Sequence, residues 1–125
     1  MMTTIRKTFL GLALAAASLV AGTASSVGSA FYGWQITDVP AWDTLNVRAY
    51  PSSQSQILVA YPNGTMLSLT GVCTGGIKLG AISGLPAWQQ RQHVRFAWCQ
   101  AFVDPQGSGN YVTAWVYGKY IAPAL

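Results

Sequence analysis

The chain has 125 residues, a length that suggests one domain, and carries seven Lys and Arg against three Asp and no Glu, for a net charge of +4. Only 8% of its residues are charged, and the cations form no clustered stripe. No nucleic-acid partner is therefore expected.

Arg6 and Lys7 precede an uncharged, mostly apolar run from Phe9 to Ala21, and small residues follow it. This is the order of a secretory signal peptide. Cleavage is expected after Ala24 or Ala30, which makes residues 1–30 the leader and 31–125 the domain. The apolar run covers 13 residues, short of the roughly 20 that a helix needs to span a bilayer. No Cys directly follows it, so neither a transmembrane nor a lipid anchor is expected in the mature form. The expectation is an exported protein, periplasmic or extracellular. Cleavage would leave 101 or 95 residues, enough to bury one modest core. The mature part holds five cations (Arg48, Lys78, Arg91, Arg95 and Lys119) against Asp38, Asp43 and Asp104, a net charge of +2.

Beyond the leader no helical stripe is legible, and short apolar runs alternate with turn clusters. Phe31 to Thr37 is aromatic and β-branched and predicts an N-terminal strand; Pro40 interrupts, and Trp42 falls on a loop. From Leu45 the chain alternates, with Leu45, Val47 and Ala49 on one side and Asn46 and Arg48 on the other, until Pro51 stops it. Pro51 to Ser55 is a polar turn. Ile57 to Tyr61 is short and apolar throughout, as a strand buried on both faces would be. Pro62-Asn63-Gly64 is a turn, and Met66 to Cys73 the next strand. Gly75 to Gln92 then breaks the rhythm. It is Gly-rich, with Ile77, Leu79, Ile82, Leu85 and Trp88 scattered through it, and predicts a long loop or a small ordered excursion. His93 to Val103 predicts a strand, Asp104 to Asn110 a hairpin turn, Tyr111 to Tyr117 a strand, and Gly118 to Leu125 a turn with an apolar tail. Five or six such strands make a small all-β barrel or sandwich. Cys73 and Cys99 both fall in the exported part and predict one disulfide. The loop it closes holds 25 residues, for which the chain-entropy model gives about 3 to 4 kcal/mol.

Two of these segments, Leu45-Asn46-Val47-Arg48 with Pro51-Ser52, and Ala114-Trp115-Val116 with Tyr120-Ile121, resemble the opening and closing motifs of the bacterial SH3 (SH3b) family. Ile57-Leu58 resembles its second strand, and Asn63-Gly64-Thr65 with Met66 to Gly71 its turn and third strand. Trp98 stands where the family has a fourth-strand aromatic. Ala114 replaces the usual Gly. Gly75 to Ala97 is a large departure, because the family has only a few residues there, and the disulfide is not a family trait. The resemblance runs from Leu45 to Ile121. It implies a small SH3-like barrel with a long insertion, used as a binding module, with cell-wall peptide, peptidoglycan or a protein as partner.

The residues themselves offer little chemistry. His93 is the only His, the three Asp are far apart in sequence, and one His with two Cys is too few for a zinc site. No phosphate-cradling glycine loop is present. No catalytic residue, cofactor or metal is expected, and the protein is predicted not to be an enzyme. Five Trp and six Tyr remain, which supply contact area at low entropic cost. Trp98 and Trp115 are assigned to the core. Tyr50, Trp88, Tyr117 and Tyr120 are the candidate ligand contacts: Tyr50 beyond the first alternating strand, Tyr117 and Tyr120 around Gly118, and Trp88 in the insertion. The expected function is a non-catalytic exported binding module. The alternative is a small secreted inhibitor or host-directed interaction protein acting through the disulfide-pinned loop 75–92.

Overall fold

Alternation along the chain becomes two-sidedness of a sheet. In the computed structural model, which describes residues 31–124, seven strands form one antiparallel sheet. The expected leader, residues 1–30, lies outside the described residues. The strands are β1 (Tyr32–Ile36), β2 (Leu45–Arg48), β3 (Ile57–Tyr61), β4 (Met66–Cys73), β5 (Trp98–Val103), β6 (Val112–Tyr117) and β7 (Ile121–Pro123). Their spatial order is β3-β2-β6-β5-β4-β1-β7. The described residues are thus mostly antiparallel β with two short helices. The ladder does not close into a barrel, since β3 and β7 are the two ends of the sheet.

One face makes the core. Leu45 and Val47 of β2, Leu67, Leu69 and Cys73 of β4, Cys99, Ala101 and Val103 of β5, and Ala114 and Val116 of β6 are all buried. Trp34 and Ile36 of β1 and Ile121 of β7 join them. The register explains the unity of this face: Cys99 stands opposite Val116 and Ala101 opposite Ala114, so side chains of like parity meet across the ladder. The other face carries Asn46, Arg48, Trp98, Gln100, Trp115 and Tyr117. The β4–β5 register shifts between Leu69 and Cys73, a bulge that bends the strand. Gly71 stands there at φ 105°, a conformation closed to most side chains, and the Tyr32 ring lies over its bare α-carbon.

The expected disulfide is formed. Cys73 and Cys99 face each other across β4 and β5 with their α-carbons 4.0 Å apart, and both are buried. It fastens the base of the insertion, which is ordered and helical. After a 3-10 turn (Thr74–Gly76) come α1 (Leu79–Ile82) and α2 (Ala87–Val94). Leu79, Ile82, Val94 and Ala97 are buried in the main core, so the insertion extends that core. The chain closes with a 3-10 turn (Gly118–Tyr120) before β7, which pairs with β1.

Four local expectations are corrected. The strand expected from His93 begins only at Trp98, because His93 and Val94 complete the last turn of α2. That helix is rich in Gln, a good helix former, but buries only Val94, and so leaves no apolar stripe in the sequence. Ile57 to Tyr61 is not buried on both faces: it is an edge strand, with Ile57 and Ala60 exposed. Trp98 and Trp115 are half-buried on the outer face, and the buried tryptophan is Trp34. In the segment expected to be a turn with an apolar tail, Gly118–Tyr120 is a 3-10 turn and Ile121–Pro123 a seventh strand.

Candidate functional site

Strand parity and one turn build an aromatic wall on the outer face. Trp98 and Tyr117 are direct cross-strand partners, and their rings lie 5.2 Å apart at 54°. The 3-10 turn then carries the chain back so that Tyr120 lies 6.4 Å from Tyr117. Arg48 stands one strand further along, opposite Trp115. Facing this wall is the β1–β2 connection, residues 37–44. Between them lies a groove of about 440 Å³ that Trp98, Tyr117, Tyr120, Arg48 and Asp43 all line. Its volume falls in the range of roughly 300 to 1,000 Å³ of small-ligand sites.

The loop forming the opposite wall is held at several points. Asp38 adopts φ 64°, which turns the chain, and its carboxylate accepts a hydrogen bond from the Arg91 guanidinium on α2. Asn63 acts as a peptide mimic: its Oδ1 accepts the Val39 N–H at 3.0 Å while its Nδ2 donates to the Val39 carbonyl. The Thr37 N–H donates to the Tyr120 carbonyl at 2.9 Å, which ties the loop directly to the aromatic turn. Such cross-links hold a binding surface in place before a ligand arrives and lower the entropic cost of binding. Trp42, 88% exposed, projects from the same loop between two groove-lining stretches.

Polar groups in the groove are partly committed. The Arg48 Nη1 donates to the Ser55 carbonyl at 2.7 Å, which fixes the guanidinium but leaves its other N–H groups available. Asp43 Oδ1 accepts the Thr44 N–H at 2.7 Å. The remaining carboxylates are elsewhere. Asp38 is paired to Arg91, and Asp104 accepts the N–H groups of Ser108 and Gly109 in its own hairpin. Among the described residues no three His, Cys, Asp or Glu side chains converge, and both cysteines are in the disulfide.

Of the four aromatic residues singled out from the sequence, the fold brings Tyr117 and Tyr120 together in this groove. Tyr50 lines a different depression with Ile57, Pro105 and Val112, and is 70% exposed. Trp88 lies on α2 beside Arg91, Arg95 and Lys119. Trp98, Arg48 and Asp43 are the aromatic and charged groove residues not among the candidates from the sequence. The signal for Trp98 was present: it shares parity with Gln100 and Phe102, opposite to Cys99, Ala101 and Val103. No helix among the described residues is long and apolar enough to cross a membrane. Comparison with family models, with curated proteins and with solved structures finds no match to this chain.

Proposed function

We propose that the protein is a non-catalytic, exported binding module of SH3b-like design that takes a cell-wall peptide, as found in peptidoglycan, into the groove between the 37–44 loop and the Trp98–Tyr117–Tyr120 wall. The observation that carries this reading is the convergence of three aromatic rings with one cation and one carboxylate in a single recess. Aromatic faces offer flat apolar contact to sugar rings and extended peptide. Arg48 suits a ligand carboxylate, and Asp43 a ligand amine. The SH3-like reading of the fold rests on the motif resemblance and on the antiparallel pairing of β2 with β6, the strands that carry the opening motif and the start of the closing one. The leader-like N-terminus and the disulfide favour an oxidising location, the periplasm or the exterior. A binding role without catalysis fits the carboxylates, each of which has a local partner.

Acting as an inhibitor or interaction protein through loop 75–92 would have to use its exposed positions, of which Leu85 and Trp88 are the large apolar ones, since Leu79 and Ile82 belong to the core. Co-sedimentation with purified peptidoglycan separates the readings. The wild-type chain is expected to bind and Tyr50→Ala to bind as well. Tyr117→Ala should weaken binding about tenfold or more, as for a central interface aromatic. Equal binding by Tyr117→Ala and wild type would remove the groove from the account.

A further inference from the structure

We propose that the face of α2 bearing Trp88, Arg91 and Arg95, together with Lys119, docks onto an anionic phospholipid surface. Trp88 and Arg91 are spaced i, i+3 on one side of α2, and Arg95, the residue that caps the helix, keeps helical backbone angles (φ −51°, ψ −37°) and continues that side at i+7. The 3-10 turn brings Lys119 to the same recess, of about 210 Å³. Three of the five cations of residues 31–125 are therefore gathered here, facing one carboxylate, Asp38. Asp38 pairs with Arg91, and among the described residues neither Arg95 nor Lys119 has a carboxylate partner. Aromatic side chains on α2 and just beyond it are exposed: Trp88 is 59% and Phe96 79% accessible, and the Arg95 guanidinium carbon lies 5.5 Å from the centre of the Phe96 ring.

Charge complementarity selects the occupant. Unpartnered Arg and Lys favour phosphate-bearing surfaces, and Trp and Phe next to them favour the boundary between headgroups and acyl chains. A soluble polyanion would use the cations but gain little from an exposed Phe96. This recess shares no lining residue with the aromatic groove but adjoins it, since the Lys119 Nζ lies 5.5 Å from the centre of the Tyr120 ring.

The test is flotation of the purified chain with vesicles of phosphatidylcholine alone or with phosphatidylglycerol added, at low and high salt. The chain is used without residues 1–30, whose apolar run would itself bind vesicles; residues 31–125 form a compact unit of their own that holds the whole described core. Wild-type protein should bind the anionic vesicles and release from them as salt rises. The double variant Arg95→Gln/Lys119→Gln should bind about tenfold or more weakly, given the usual contribution of each basic side chain near such a surface. Phe96→Ser should also weaken binding, and Lys78→Gln, outside the recess, should weaken it least. Equal binding to neutral vesicles, or wild-type affinity in both Arg95→Gln/Lys119→Gln and Phe96→Ser, would overturn the proposal. Complete competition by soluble glycerol phosphate would overturn it too, since that would show a site for a free phosphoester.

Discussion

Gly118 shows how closely the aromatic turn is fitted to the insertion. It is buried under the end of α2, its N–H donating to the Ala97 carbonyl at 2.7 Å. A Cβ at this position would run into the Val94 carbonyl and lie 2.9 Å from that of Ala97. Both obstacles are backbone, so neither can rotate away. Gly118→Ala is expected to cost about 3 kcal/mol or more, read as a lower urea midpoint. Gly84→Ala, where a Cβ meets nothing within 4 Å, should change stability by no more than about 0.5 kcal/mol. Because Gly118 lies between Tyr117 and Tyr120, the same packing that forbids a side chain also sets the spacing of two groove aromatics. At this scale the sequence shows a Gly between two Tyr, while the need for it comes from a helix some twenty residues away in the chain.

The elements divide by the reach of the signal that specifies them. Strands β2, β5 and β6 follow from alternation, which is local, and the disulfide from two cysteines in a chain whose sequence leads one to expect export. The helices of the insertion were not legible. Helix α1 is four residues long, and α2 buries only Val94, so neither has room for a periodic stripe. Edge strand β3 misled for the converse reason: an apolar run looks buried, but only the partner order reveals that it ends the sheet. The disulfide matters most to the insertion, whose base it closes. Replacing both Cys73 and Cys99 by Ala is expected to destabilise the protein by about 3 to 4 kcal/mol by denaturant unfolding. A loss below about 1 kcal/mol would mean that burial of Leu79, Ile82 and Val94 holds the insertion without the covalent link.

At the scale of the whole molecule, one face of the sheet supplies the core and the other a ligand-sized recess. The 37–44 loop, pinned by Asn63 and Thr37, converts part of that outer face into a groove. The candidate site was therefore half legible. Tyr117 and Tyr120 are close in sequence, on either side of Gly118, whereas Arg48 and Trp98 join them only through the pairing of β2, β6 and β5, and Asp43 through the loop that leads into β2. Tyr50 and Trp88 looked equivalent to the other aromatics in the sequence but end on other surfaces. Titrating the isotope-labelled protein with a soluble muropeptide, followed by NMR chemical-shift changes, tests the central claim most directly. Perturbations should converge on Arg48, Trp98, Tyr117 and Tyr120 and spare Tyr50 and Trp88. Absence of any perturbation, or perturbations confined to the Tyr50 depression, would contradict the account.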